Sequence, residues 1–318
     1  MATPVSVIIP TYNRAATLGD AIESALRQTY PAREVIVVDD GSTDETASVL
    51  AAYGDAIRIL RTENRGCAAA RNAGAALGRG EYLVFLDSDD ILPQDKLAVQ
   101  VPVLETRPEV GFVYGPTILF GPELAGEVVD EPVRPDPDGS VAAGIFLTTR
   151  IGFVSVLLRR AAVEQAGGFD ETLRHNEDTD LLLRIALDWQ AVCLDIPTGR
   201  QRWHPGRKSR DEVALRRAVL HSMQKVLALR PDFHARLGPL AEARLAEVRW
   251  EVSRALGERG NLAAARAEAA AAWRERPSAA LASWRLALLG RPFVPAWLAT
   301  SRFLARSCGF LRARLGGR

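Results

Sequence analysis

Residues 82–90 read YLVFLDSDD. The apolar run from Tyr82 to Leu86 leaves no polar face for water, so it predicts a parallel strand buried on both sides. Three carboxylates follow at once, Asp87, Asp89 and Asp90. At about 4 Å two such charges repel by about 4 kcal/mol at an effective dielectric of about 20, so a positive group belongs among them. A divalent cation with oxygen ligands, Mg2+ or Mn2+, suits that need and leaves positions open for phosphate oxygens. In an open α/β sheet, ligands bind beyond the carboxyl ends of the strands, where these aspartates fall. The competing reading is an acidic turn that caps the next helix.

Working outward, the first ninety residues alternate strand and helix signals. Residues 5–9 (VSVII) form a strand pattern closed by Pro10 and followed by Thr11, Tyr12, Asn13 and Arg14; a helical spacing of Ala21, Ile22, Ala25 and Leu26 comes next. Residues 34–38 (EVIVV) give a second strand that ends in Asp39 and Asp40. Ser42 or Asp44 suits a helix cap, but Asp39 and Asp40 precede the turn, where a carboxylate can accept hydrogen bonds from a base or ribose. A short strand at residues 57–60 leads to the small-residue helix 68–77, which carries Arg71 and Asn72. Arg71 is either a solvated side chain or, on the pocket side, a support for the aspartates or a contact to phosphate. The alternation predicts an α/β fold with a doubly wound, mostly parallel sheet. Neither GxGxxG nor GxxxxGK[ST] follows a strand, which disfavours dinucleotide dehydrogenases and P-loop enzymes.

The four segments PTYNR, VVDDGSTD, NRGCAAARNAG and FLDSDD, in this order, resemble the nucleotide-binding half of glycosyltransferase family 2, the inverting enzymes of GT-A fold. The resemblance covers residues 4–204. It implies a nucleotide-diphosphate sugar donor, with Pro10, Thr11, Tyr12, Asn13, Arg14, Asp39, Asp40, Arg71, Asp87 and Ser88 on the nucleotide side and Asp87 and Asp89 on Mn2+ or Mg2+. Further on, GGFDE (residues 167–171) precedes HNEDTDLLLRIALDW. Asn176 as a cap, with Glu177, Asp178 and Asp180 in the first turn, is a complete structural account of that helix start. The resemblance instead implies an acceptor side including Gly168 and Glu177, with Asp178 as catalytic base. A helix N-terminus lowers a carboxyl pKa, so a raised value at Asp178 requires burial or neighbouring carboxylates. His204, a lone histidine that composition alone would leave structural, is implied as a further metal ligand. Gln201 departs from the family's pattern, standing where an aromatic residue is expected.

Composition bounds the rest. Forty basic residues against thirty-nine acidic ones leave no global field to attract nucleic acid. Three lysines among them are read as genomic base composition, and three scattered cysteines as reduced thiols. Without a signal peptide or an apolar run of about 20 residues, a cytoplasmic protein is expected. The proline-rich residues 120–143 read as a mobile surface loop. Strand signals vanish after residue 210, which sets the expected domains at 1–209, catalytic, and 210–318, all-α. Residues 260–277 resemble half of one tetratricopeptide-like hairpin; a single unit is not an array, and helices packed on the catalytic domain are expected. The last stretch, 276–318, interleaves eight arginines with aromatic residues. It suits either a docked helix or peripheral contact with an anionic membrane face. Donor identity stays open, as do glycan, polysaccharide, lipid-linked and protein acceptors. A sugar-phosphate nucleotidyltransferase and a non-catalytic adaptor working through its helical tail are the alternatives; the first lacks its glycine-rich triphosphate loop here.

Overall fold

The computed structural model describes residues 2–204 and 211–275. Strand β1 (Val5–Thr11) leads through α1 (Ala15–Leu26) to β2 (Arg33–Asp39). Helix α2 (Thr46–Ala51) precedes β3 (Arg58–Arg61), and α3 (Cys67–Leu77) precedes β4 (Tyr82–Phe85). After α4 (Lys96–Thr106) come β5 (Val110–Tyr114), β6 (Thr117–Phe120), β7 (Val128–Asp130) and α5 (Ala142–Thr148). Next are β8 (Leu157–Arg159), α6 (Arg160–Gln165), α7 (Glu177–Ala186), β9 (Gln190–Cys193) and β10 (Gly199–Arg202). Helices α8 (Glu212–Leu229), α9 (Pro231–Leu237), α10 (Pro239–Glu258) and α11 (Leu262–Glu275) follow.

The unbroken apolar reading of β1 has a simple cause: every residue of the strand is buried, because helices cover both faces. Val5, Val7 and Ile9 pack with Leu18, Ala21 and Ile22 of α1 and with Leu97 and Val101 of α4. Each such side chain contributes about 1.5–3 kcal/mol by leaving water. On the other face Ile8 meets α3 at Gly74, where an added Cβ would drive into the Ile8 side chain and stand 3.1 Å from Val38. The helix therefore sits against the sheet only because that residue has no side chain.

The main sheet has seven strands in the order β3-β2-β1-β4-β8-β5-β9. Its pairs are parallel except around β8, which runs antiparallel to β4 and β5. Thr11 lies opposite Asp39, Ile8 lies opposite Phe85, and the Leu86 amide donates to the Ile8 carbonyl at 2.9 Å. This register brings the ends of β1, β2 and β4 out on one edge.

A smaller sheet, β10-β6-β7, differs from expectation. Part of the 120–143 stretch is strand: β7 pairs antiparallel with β6, and its three residues end before Pro132, the first of the prolines that break regular structure. The polar sequence GRQR of β10 carries no apolar run, yet its backbone pairs parallel with β6.

Two compact units divide the chain, one ending at Gly238 and the other beginning at Pro239. The first extends past residue 209 and includes α8 and α9. In the second, α10 and α11 form a hairpin turned at Gly260, which has φ +76°. Ser253 donates to the Ala265 carbonyl at 2.7 Å, and Arg249 pairs with Glu268 across the two helices. Residues 276–318, which carry the suggested membrane contact, lie outside the described residues, and no described helix is long and apolar enough to cross a membrane.

Candidate active site

Loops after β1 and β2 are stitched together at one end of the sheet. Asn13 takes a left-handed conformation, φ 51°, and its side-chain oxygen accepts from the Thr43 and Asp44 amides at 2.8 and 3.3 Å. Its own amide donates to Ser42 Oγ at 3.0 Å. Asp44 accepts from the Ala15 amide at the start of α1 and from the Thr46 amide at the start of α2. The Thr46 hydroxyl is the largest of the contacts that hold its carboxyl below the usual aspartate range. Tyr12 stands exposed beside this junction, while Thr11 is buried, its hydroxyl lacking a hydrogen-bond partner among the described residues.

Asp39 and Asp40 are both buried. Asp39 accepts from the Ser42 amide at 2.8 Å and lies 3.6 Å from the Arg61 guanidinium. The carboxylate of Asp40 takes the Arg65 and Gly66 amides at 2.9 and 2.8 Å, so it anchors the loop that starts α3. Gly66 permits this turn with φ +99°.

At the end of β4, Asp87, Asp89 and Asp90 each offer a carboxylate oxygen, all within 4.8 Å of one another. Hard oxygen donors at this density fit Mg2+ or Mn2+. The smaller sheet closes on them: Ile91 and Arg200 exchange backbone hydrogen bonds at 2.9 and 3.0 Å, and the Arg202 amide donates to Asp90 at 2.8 Å. The Arg202 side chain donates to the Asp89 carbonyl at 2.9 Å and pairs with Asp20. This latch delivers His204, whose Nε2 lies 2.9 Å from Asp89 Oδ2.

Between the acidic cluster and α7 lies Arg71, 3% exposed. It donates to Asp87 at 2.6 Å and to Glu177 at 3.3 Å, and its guanidinium is 5.1 Å from the Phe153 ring and 5.2 Å from the Phe169 ring. Aromatic faces and two carboxylates thus hold one planar cation in place. Burial pushes the Asp178 carboxyl up, and the charge of Glu177 adds to the rise; Arg71 and the Thr179 amide, which donates to Asp178 at 2.7 Å, oppose it. Burial and like charge therefore outweigh the helix N-terminus.

Asn176 does not cap α7. It is left-handed, φ 63°, makes no capping bond, and gives its side-chain amide to Ser222 of α8 instead. Gly168, with φ +71°, packs so close to Asn72 that a Cβ there would stand 2.9 Å from Asn72 Oδ1. That oxygen accepts from the Phe169 amide at 2.9 Å, and the Asn72 amide donates to the Phe169 carbonyl at 2.9 Å. Sequence reasoning had assigned Asn72 no role, although it adjoins Arg71 in the NRGCAAARNAG segment. Phe153 carried no local signal, since it acts on Arg71 from a distant part of the chain, whereas Phe169 lies within the GGFDE segment and Arg202 follows Gln201 in the run that ends at His204.

A mostly parallel sheet with carboxylates gathered at its strand ends defines a GT-A-type fold, and solved structures share it. The mannosyltransferase PcManGT from Pyrobaculum calidifontis, in complex with GDP-Man and Mn2+, aligns with a TM-score of 0.61 at 24% identity, covering 96% of this chain and 85% of that one. S. aureus TarS in complex with UDP-GlcNAc aligns with a TM-score of 0.59 at 19% identity, covering 90% and 92%. At such identities the likeness is one of fold. The family model "Glycosyl transferase family 2" matches residues 6–164, half of the sequence, and the chain belongs to this family.

Among curated relatives, an uncharacterized glycosyltransferase of Haemophilus influenzae is 32% identical over 183 residues, 57% of this chain and 61% of that protein. The UDP-Glc:alpha-D-GlcNAc-diphosphoundecaprenol beta-1,3-glucosyltransferase WfgD of Escherichia coli is 32% identical over 187 residues, 58% of this chain and 70% of that protein. The matches to the Haemophilus influenzae relative and to one from Rickettsia prowazekii span 61% and 58% of those proteins, about three fifths of their length.

Proposed function

We propose that the chain is an inverting glycosyltransferase that moves a sugar from a nucleotide-diphosphate donor to an acceptor hydroxyl on a glycan, polysaccharide or lipid-linked precursor. The observation that carries this reading is Arg71, which joins the strand-end carboxylates to the Glu177–Asp178 pair. A donor and an acceptor would meet across that bridge.

On this reading the loop 10–14, Asp39 and Asp40 shape the pocket for base and ribose, and Ser88 borders the diphosphate. Asp87 and Asp89 would hold Mn2+ or Mg2+, with His204 beside them; bound there, the ion neutralises charge on the leaving diphosphate. Asp178 takes the proton from the acceptor hydroxyl, whose oxygen attacks the anomeric carbon opposite the leaving group and inverts it. A carboxyl raised by burial and by Glu177 suits that role better than an ordinary surface aspartate, because its conjugate base is stronger. Gly168 and its loop border the acceptor. The complexes named for TarS and PcManGT support a nucleotide-sugar donor, and the name of WfgD supports a lipid-linked acceptor. Residues 276–318, with their arginines and aromatics, would add a peripheral contact at the cytoplasmic membrane face.

Thermal unfolding with UDP, GDP, UDP-glucose, UDP-GlcNAc and GDP-mannose, each with and without Mn2+, tests the donor half. A ligand at about a hundred times its Kd adds about 2.7 kcal/mol of stability. Stabilisation by one nucleotide only with metal is expected; none with any would reject a working donor site. Asp178→Asn is expected to keep that shift and lose turnover, and near-normal turnover would remove Asp178 as the base.

A further inference from the structure

We propose that α8 positions the acceptor side of the site, with Lys225 and Ser222 as positioning residues for Asp178 and for the loop around Gly168. The proposal rests on the reading of Asp178 as the base. Asp178 and Asp180 are two residues apart on α7, about 200° around the helix, so they project from opposite sides. Asp178 adjoins Arg71 and Glu177. Asp180 is 0% exposed and is the rear anchor.

Its two oxygens are shared between two cations. Oδ2 accepts from Arg184 Nε at 2.8 Å, and Oδ1 lies 2.7 Å from Lys225 Nζ. Lys225 also donates to Asp170 at 2.8 Å, and Arg184 donates to the Gly168 carbonyl at 2.8 Å and to the Ala166 carbonyl. One buried carboxylate thereby joins α7, α8 and the Gly168 loop. Burial raises the Asp170 carboxyl, but Lys225 and the hydroxyl and backbone amide of Thr172 overcome it and hold the group far below the usual aspartate range, which keeps its charge on the ammonium.

Ser222, three residues before Lys225 and so on the same face of α8, accepts from the side chain of Asn176 at 3.2 Å. Asn176 is the left-handed residue immediately before α7. The grip therefore falls on residues 176 and 180, either side of Asp178. With both points held, the helix can neither rotate nor slide, and the carboxylate stays aimed at one place. A misplacement of about 1 Å can cost a hundredfold in rate, so this hold bears directly on turnover.

The test compares the full chain with Lys225→Met, Lys225→Arg and Ser222→Ala. Hydrogen exchange is read by mass spectrometry, and release of UDP or GDP from UDP-GlcNAc, UDP-glucose or GDP-mannose with Mn2+ by steady-state kinetics. For Lys225→Met, exchange across residues 168–180 is expected to rise about tenfold while β1, β2 and β4 stay protected. Its kcat should fall about tenfold with the donor KM within about twofold, because the donor loops sit on other elements. Lys225→Arg should restore both readouts, since a guanidinium can also bridge two carboxylates. Unchanged exchange at 168–180, a loss that appears in donor KM instead of kcat, or no rescue by arginine would overturn the positioning role. If Lys225→Met fails to fold, Ser222→Ala keeps both ion pairs and decides the matter through a smaller rise in exchange and fall in kcat. Without an added acceptor the released nucleotide reports transfer of the sugar to water; if the wild type hydrolyses none of these donors, exchange at 168–180 alone decides whether α8 holds α7.

Discussion

Replacing Arg71 with methionine removes a buried charge while keeping much of the side chain's length. The two ion pairs are not equivalent. Asp87 is 42% exposed, so water screens its arm, which is worth about 0–1 kcal/mol. Glu177 is 7% exposed, and removing the cation of a buried pair costs about 3–5 kcal/mol because the buried carboxylate loses its opposite charge. Methionine retains part of the contact with Phe153 and Phe169 through its thioether, so the lost ring contacts add little. The unfolding free energy of Arg71→Met should therefore drop by about 3–5 kcal/mol, with a fall in Tm of about 10 °C. The sign of the pH dependence separates this account from simple loss of packing. Arg71 opposes the upward shift at Asp178, so without it the folded variant holds a proton there more tightly than the unfolded chain does, and its stability falls as pH rises. Urea unfolding at pH 5.5 and pH 8 should show a deficit that grows with pH, and Arg71→Met/Glu177→Gln should recover more than half of it. A deficit below about 1 kcal/mol, a loss equal at both pH values, or no recovery in the double variant would refute the argument from the lost buried cation.

On the proposed role of Asp178 as base, its raised carboxyl would set the acidic limb of kcat: turnover should fall through a pKa above about 3.9, the value of an ordinary aspartate, and a limb at or below that value would count against this role. Lys96, fully buried on α4 and donating to Gln100 and to the Ser155 carbonyl, has its amine pushed well down by burial. The unfolded chain binds that proton more readily, so the contribution of Lys96 to stability climbs with pH up to about 10.4, and in chemical denaturation the stability of wild type relative to Lys96→Met should rise with pH over that range. Arg160 donates from Nε, Nη1 and Nη2 to the carbonyls of Gly80, Ala75 and Gly78; Arg160→Lys, with one ammonium, should strand at least one of them and cost about 1–3 kcal/mol in a urea melt.

What the sequence made legible follows from how each part is encoded. Strands β1, β2, β4 and β5 are covered on both faces, so each reads as an apolar run, and the carboxylates that follow β2 and β4 read as an edge. Asp89 and His204 are 115 residues apart; resemblance named both, but their contact depends on β10, whose GRQR looks like a loop. That strand is stabilised from outside itself, by the backbone of β6 and by the Phe120 ring, which lies 5.1 Å from the Arg200 guanidinium and 4.8 Å from that of Arg202. No pattern within four residues can report such support. Asn176 failed as a cap because its backbone is left-handed, φ 63°, outside the extended conformation that an N-cap takes, while its side-chain nitrogen donates to a hydroxyl on α8.

The abundance of arginine, which composition alone assigns to genomic bias, has a structural consequence at the helix ends. Helices α1, α3, α4 and α6 have no basic residue in their last turns, the place where a sequence reading looks for one. Their final carbonyls are nonetheless met by arginines from elsewhere: Arg33 donates at the end of α1, Arg160 at α3, Arg159 at α4 and Arg184 at α6. A planar fork with five donors can satisfy several outward-pointing carbonyls at once, which the single ammonium of lysine cannot match. Arg184 shows why this matters for the site. The same side chain that closes α6 also pairs with Asp180 and holds the Gly168 carbonyl, so the end of one helix is tied to the Gly168 loop. Arg71 applies the same chemistry at the centre, its fork divided between Asp87 and Glu177. In both places one guanidinium ties together segments remote in the chain, and the position of Asp178 depends on both.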